Sequence, residues 1–73
     1  MIINKVSEVM GRKRINVSEL ARGAGISRNA AHALYHATNK QVDLDVLDRV
    51  CRFLGAQVGE LLVYVPSGEE DKG

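Results

Sequence analysis

The chain has 73 residues, of which 45% are hydrophobic and 26% are charged, and its net charge is +1. A chain of this length forms one small domain, whose core is marginal unless the helices pack tightly or a partner adds surface. The single cysteine, Cys51, has no second cysteine with which to form a disulfide. No apolar run approaches the roughly 18 residues of a membrane-spanning helix. We therefore expect a soluble cytoplasmic protein in which Cys51 is a small core residue.

Charge is unevenly distributed along the chain. Residues 1–40 carry seven basic and two acidic side chains, a net of +5, whereas residues 41–73 carry three basic and seven acidic ones, a net of −4. A basic surface attracts nucleic acid. The distribution predicts that a nucleic-acid partner binds the N-terminal half and that the acidic half faces away from it.

The first predicted helix covers residues 4–13, and its inner face consists of Val6, Val9 and Met10. It ends in a run of three basic residues, Arg12, Lys13 and Arg14. This run either faces the phosphates of a nucleic acid or only offsets the C-terminal dipole of the helix. The sequence leaves both interpretations open.

Two short helices are predicted next, over residues 17–24 and 28–36. Asn16 opens a capping box at the start of the first one, and Gly25 is placed to end it with a positive φ. Ser27 caps the second helix. So short a connection makes the two helices cross steeply and leaves the second one protruding.

A polar loop leads to a fourth helix over residues 44–54, where the apolar residues follow the stripe of an amphipathic helix and Gly55 provides the C-cap. A short fifth helix is predicted over residues 58–62. Residues 67–73 contain only glycine, serine, lysine and acidic residues. We expect them to form a disordered acidic tail after a folded domain of residues 1–66.

Short β-prone segments occur near both ends of the chain. They consist of Ile2 and Ile3 at the start and of Val63, Tyr64 and Val65 before a proline. Paired together they form a two-stranded ribbon, either within one subunit or between two. The apolar residues of the C-terminal segment either form a dimer surface or close the base of the core; they are Leu61, Leu62, Tyr64 and Val65.

Residues 16–35 contain a polar cap, a Leu-Ala pair, a Gly-Ile-Ser turn and two apolar positions in the second helix. The residues are Asn16, Glu19, Leu20, Ala21, Gly25, Ile26, Ser27, Ala31 and Leu34. This pattern resembles the helix-turn-helix of the Cro and phage-repressor type, also called the xenobiotic-response-element family. The resemblance covers nearly residues 3–62, although the family usually has a larger apolar residue in place of Ala31 and often a glutamate in place of Tyr35. It implies an all-α, compact five-helix, lambda-repressor-like DNA-binding domain of bacterial or phage origin.

The resemblance, together with side-chain chemistry, implies which residues contact DNA. The helix over residues 28–36 would lie in the major groove, and its base-reading residues would be Arg28, Asn29, His32 and Ala33. His32 is equally suited to a phosphate. The start of the preceding helix and the loop after the groove helix would hold phosphates, through Asn16, the Val17 N–H, Ser18, Asn39, Lys40 and Gln41. Because one such domain covers only about four to five base pairs, we expect a homodimer on a pseudo-palindromic operator.

These observations predict a small transcriptional regulator, most simply a repressor, that binds double-stranded DNA sequence-specifically. The alternative is a protein-interaction module or antitoxin-like partner, in which DNA binding is weak or secondary. We expect neither enzymatic activity nor a cofactor, since the sequence shows no activated nucleophile, phosphate loop or paired acids. His32 and His36 have the spacing of two metal ligands, but no cysteine or carboxylate lies near enough in sequence to complete a tetrahedral site.

Overall fold

The computed structural model describes residues 1–38 and 41–66. Within these residues lie five helices, α1 Val6–Lys13, α2 Val17–Ala24, α3 Arg28–His36, α4 Leu44–Leu54 and α5 Val58–Leu61. Two strands, β1 Ile2–Asn4 and β2 Leu62–Tyr64, pair antiparallel. The predicted five-helix architecture with a terminal ribbon is confirmed. The tail predicted over residues 67–73 lies outside the described residues.

The start predicted for the first helix was wrong by two residues, because Asn4 belongs to β1. The Asn4 Oδ1 accepts a hydrogen bond from the Val6 N–H at 2.8 Å, and its Nδ2 donates one to the Leu34 carbonyl at 3.2 Å. An N–H in the first turn of a helix has no partner within that helix. Asn4 supplies that partner and ties the ribbon to the end of α3.

The ribbon forms within one subunit. The Met1 ammonium donates to the Val65 carbonyl at 2.6 Å, and the Val65 N–H donates to the Met1 carbonyl at 2.8 Å. Further along the same ladder, the Lys5 N–H donates to the Leu61 carbonyl at 2.7 Å. Because the chain is already extended at residue 62, α5 ends one residue earlier than predicted.

Of the two alternatives for the apolar C-terminal segment, the structure shows that it closes the base of the core; the dimer surface stays a prediction. Leu61 is fully buried and closes the base of the core. Leu62 and Val63 are half-buried, while Tyr64 is 66% exposed. The exposed tyrosine lies opposite Ile2, which is itself 62% exposed. An exposed apolar pair therefore remains at the end of the ribbon.

The core combines apolar side chains from all five helices. Its buried members are Val6, Val9, Met10, Leu20, Ala24, Ala31, Leu34, Leu47, Val50, Leu54 and Leu61. Cys51 packs half-buried against them, as predicted. Burial raises the pKa of its thiol, and the carboxylates of Asp48 and Glu60 add to the effect, so the thiol stays protonated at neutral pH. None of the helices in residues 1–38 and 41–66 has the length and apolar composition needed to cross a bilayer.

Four helices end in a left-handed residue. Gly25 and Gly55 do so with φ of 70° and 65°, as the sequence predicted. Arg14 and Ala37 adopt the same conformation with φ of 57° and 56°. A side chain with a Cβ pays a steric cost there that glycine does not. The ends of α1 and α3 therefore store backbone strain.

We predict that Ala37→Gly raises the free energy of unfolding by about 0.5–1 kcal/mol, since removing the Cβ relieves strain that exceeds the extra chain entropy of glycine. Urea denaturation followed by circular dichroism measures the change. The neighbouring Thr38→Gly is the control, because Thr38 is exposed and lacks a positive φ. It should lower the free energy of unfolding, and equal effects of the two changes would contradict the prediction.

Candidate nucleic-acid interface

The start of α2 is fixed by the capping box that the sequence predicted. The Asn16 Oδ1 accepts from the Glu19 N–H at 2.8 Å, and the Glu19 Oε1 accepts from the Asn16 N–H at 2.9 Å. These two bonds occupy the Asn16 oxygen and backbone N–H, so its Nδ2 group is the remaining donor. The backbone N–H groups at the start of α2 are thus held in a set orientation at the surface.

The turn between α2 and α3 consists of Gly25, Ile26 and Ser27. The Ile26 N–H donates to the Ala21 carbonyl at 3.0 Å, and the Ile26 side chain packs half-buried against the core, as predicted. The Ser27 Oγ accepts from the Ala30 N–H at 3.0 Å and caps α3. The first residues of α3 therefore follow a turn that is held by the Ile26 bond on one side and by the Ser27 cap on the other.

The four residues predicted to read bases lie on α3 but differ in exposure. Arg28, Asn29 and His32 are exposed, whereas Ala33 is half-buried. Ala33 borders a depression on the other side of α3, next to Gln41 and the loop before α4. The structure thus brings three of the predicted residues together on the free surface and places Ala33 at its margin.

The residues predicted to bind phosphate lie at two places. Asn16 and Ser18 are exposed at the start of α2, and Val17 is half-buried between them. Gln41 is exposed at the end of the loop after α3. Asn39 and Lys40 lie outside the described residues.

A shallow cleft of about 510 Å³ separates the end of α1, the start of α2 and the outer side of α3. It is lined by Gly11, Arg14, Ile15, Asn16, Val17, Ser18, His32 and Tyr35. His32 therefore adjoins the predicted phosphate residues at the start of α2. No DNA contact was predicted for Tyr35, and the run Arg12–Arg14 was predicted only as a whole either to face phosphates or to offset the helix dipole.

Within that basic run, Arg14 differs from its neighbours in position. It lines the cleft, and its backbone is fixed because its N–H donates to the Gly11 carbonyl at 3.1 Å. The next residue, Ile15, donates to the Met10 carbonyl at 2.9 Å. A second depression, with Arg22 and Phe53, is bordered by both Lys13 and Arg14, but Lys13 does not line the cleft. From the sequence, only the distance of each residue from the end of α1 could have shown which of the two lies at the cleft. That end could not be placed to within one residue.

The profile of the Cro/C1-type HTH DNA-binding domain matches residues 5–67, most of the chain. The chain belongs to the Cro/C1-type family of helix-turn-helix DNA-binding domains. It is also similar to YozG of Bacillus subtilis (strain 168), an uncharacterized HTH-type transcriptional regulator, with 28% identity over 72 residues, which are 99% of this chain and 83% of YozG. The resemblance drawn from residues 16–35 is confirmed.

In this Cro/C1-type domain the acidic half of the sequence is partly neutralised on α4. Asp45 pairs with Arg49 at 3.1 Å, and Asp48 pairs with Arg52 at 3.3 Å. Asp43 caps the helix by accepting from the Asp45 N–H at 2.7 Å. These exposed pairs each contribute little to stability. The first pair matters for a different reason, since Arg49 also reaches the turn before α3.

The two histidines of α3 stack on each other on its outer side. The His32 and His36 rings are parallel, with centroids 5.8 Å apart, and the Tyr35 ring meets His36 edge-on at 5.0 Å. Among residues 1–38 and 41–66, no group of three or more His, Cys, Asp or Glu side chains is arranged to hold a metal ion. The exposed His32 ring lines the cleft.

Proposed function

We propose that this domain is a small transcriptional regulator that binds double-stranded DNA sequence-specifically, with α3 in the major groove. The observation that carries the proposal is the group of exposed polar side chains on α3, Arg28, Asn29 and His32, beside the start of α2. A protruding helix of this size fits the major groove, where each base pair presents its own pattern of donors and acceptors. The similarity of this chain to YozG, an HTH-type transcriptional regulator, supports the same assignment.

Arg28 and Asn29 are proposed as the main base readers, because they stand at the N-terminal end of the groove helix. An arginine pairs in two-pronged fashion with guanine, and an asparagine does so with adenine. Ala33 is proposed to meet a thymine methyl from the margin of the contact surface. His32 is near enough to α2 to bind a base or the adjacent phosphate.

The phosphate contacts are proposed on both sides of α3. Asn16, the Val17 N–H and Ser18 would bind the backbone on one side, and Asn39, Lys40 and Gln41 would bind it on the other. Phosphate contacts fix the register of a protein on the duplex without reading its sequence. Two such groups flanking a groove helix would hold α3 along the groove.

Two further phosphate contacts are proposed at the cleft, from side chains that line it. Arg14 is proposed to contribute a positive charge, and Tyr35 a hydroxyl, to the phosphate bound near Ser18. Both side chains line the same cleft as His32. Where the family often has a glutamate, this chain has a neutral tyrosine, which removes a charge that would repel a phosphate.

We further propose that the protein acts as a homodimeric repressor on a pseudo-palindromic operator in the cytoplasm. One domain buries too little DNA for high affinity, whereas a twofold dimer doubles the contacts. The exposed pair of Ile2 and Tyr64 at the end of the ribbon is our candidate for the dimer contact. A dimer on its operator excludes other proteins from the same stretch of DNA, which is the simplest means of repression.

Arg28→Ala is expected to cost about 1–3 kcal/mol of binding to the selected operator and to abolish preference for it. Lys40→Ala should instead weaken binding to all sequences alike and flatten the salt dependence by about one unit. Operators are first selected from random duplexes, and affinities are then measured by fluorescence anisotropy over a salt series. If neither change affects DNA binding at moderate salt, the protein-interaction alternative replaces the regulator proposal.

Arg14→Ala should weaken binding to every duplex and lower the salt slope by about 0.9, as expected for the loss of one phosphate contact. Lys13→Ala is the matched control, because it removes an equal charge from the adjacent residue, which does not line the cleft. Its salt slope should stay within about a third of a unit of the wild-type value. If the two substitutions lowered the salt slope equally, the net charge of the protein, and not a phosphate contact of Arg14, would explain the effect.

Tyr64→Asp is expected to raise the dimer dissociation constant by at least about tenfold, because it places a charge in a buried apolar contact. Sedimentation velocity at micromolar concentration measures this change. Leu44→Asp is the control, since Leu44 is 79% exposed on α4 and far from the ribbon in sequence. A wild-type monomer that binds DNA one to one would contradict the dimer proposal, and dissociation by the control alone would place the interface on α4.

A further inference from the structure

The carbonyl of Gly25 accepts a hydrogen bond from a helix that takes no part in the proposed DNA contacts. The Arg49 Nη1 on α4 donates to the Gly25 oxygen at 3.2 Å. Gly25 ends α2, where unpaired carbonyls carry partial negative charge. A guanidinium is the favoured donor for such a carbonyl, because the bond is charge-assisted.

The same guanidinium is held from its other side. The Arg49 Nε donates to Asp45 Oδ2 at 3.1 Å, one turn earlier on α4. Asp45 lies in the first turn of α4, which Asp43 caps. The Arg49 side chain is 49% exposed, compared with 80% for Arg52, which makes the equivalent pair with Asp48. The Nε of Arg49 is thus anchored to Asp45, while its Nη1 reaches the Gly25 carbonyl in the turn.

The bond acts on the dihedral angle that directs α3. The direction of a carbonyl oxygen is set by ψ of its own residue, so a donor fixed on α4 restricts ψ of Gly25. Glycine itself restricts its backbone least of all residues. The turn has only three residues, and a rotation at Gly25 would swing the whole of α3 relative to α2. The Ile26 N–H belongs to the same peptide plane as the Gly25 carbonyl and donates to the Ala21 carbonyl. Arg49 therefore adds a second restraint on this plane, from a helix outside the turn.

We infer that Arg49 is a positioning residue for sequence discrimination, because it holds the turn in the conformation that aligns α3 with the base edges. This inference rests on the proposed function. Two-pronged base contacts tolerate only small angular errors, whereas long basic side chains follow a phosphate over a wide range. Loss of the Arg49 bond therefore reduces binding to the operator more than binding to other DNA.

The experiment compares Arg49→Ala with Arg52→Ala in the full chain. Both substitutions remove an arginine and one exposed ion pair from α4, but only the first frees the Gly25 carbonyl. Affinities for the selected operator and for a scrambled duplex are measured at a temperature at which circular dichroism shows both variants to be folded. Arg49→Ala should lose about three- to tenfold in operator affinity and less than about twofold on the scrambled duplex. Arg52→Ala should keep the wild-type ratio.

Two further measurements separate positioning from other roles. The amide of Ile26 should exchange with solvent faster in Arg49→Ala than in Arg52→Ala, because the turn opens more often. Arg49→Lys keeps the charge but replaces two separated donors by one ammonium, and its operator preference should fall between wild type and Arg49→Ala. If Arg49→Lys keeps the full wild-type operator preference while its Ile26 amide exchanges as fast as in Arg49→Ala, charge alone accounts for the effect and the inference is contradicted.

The outcomes distinguish failure of the inference from failure of the proposed function. If the wild type prefers its operator but Arg49→Ala and Arg52→Ala keep the same ratio, the positioning role is wrong. If Arg49→Ala weakens both duplexes equally and lowers the salt slope by about 0.9, Arg49 contacts a phosphate directly. If the wild type itself shows no preference among duplexes, the proposed function has failed first.

Discussion

The three-residue turn between α2 and α3 is the constraint on which the rest of this structure depends. Gly25 ends one helix in a left-handed conformation, and Ser27 caps the next one two residues later. Helices joined so closely must cross at a steep angle. Ala31 on α3 is fully buried, and its small side chain lets a neighbouring helix approach closely. A larger side chain, which the family usually has there, would hold the helices further apart.

The helical hairpin formed by α2 and α3 has one apolar face, and the remaining elements serve mainly to cover that face. α1 and α4 supply most of the other buried apolar side chains, and Leu61 closes the base. The terminal ribbon adds a second kind of restraint, since Asn4 joins β1, the start of α1 and the end of α3 through two hydrogen bonds. A domain with so small a core gains from such links, because each limits the local opening of a short element.

Charge is arranged around this scaffold so that the proposed DNA surface is basic and the rear of the hairpin is locally neutral. Aspartates on α4 are paired with arginines one turn away. At the front, Arg28 and Arg14 are exposed without an acidic residue in their own helix turn. The family shows that the domain binds DNA, and this distribution is consistent with the side on which we propose that it does so.

The sequence by itself determined which segments form helices and the caps at Asn16, Gly25 and Ser27, because each of these caps acts within a few residues of itself. The residues that it proposes on α3 for base contacts remain a prediction, and three of the four are exposed. The sequence also determined most of the core, since a helical stripe identifies its buried face. Only the tertiary structure decided that Asn4 is a strand residue, that the ribbon is intramolecular, that Arg14 and Tyr35 share a cleft, and that Arg49 bonds to Gly25. Each of these pairs residues that are distant in the chain, and no local pattern records which distant partner a side chain will meet.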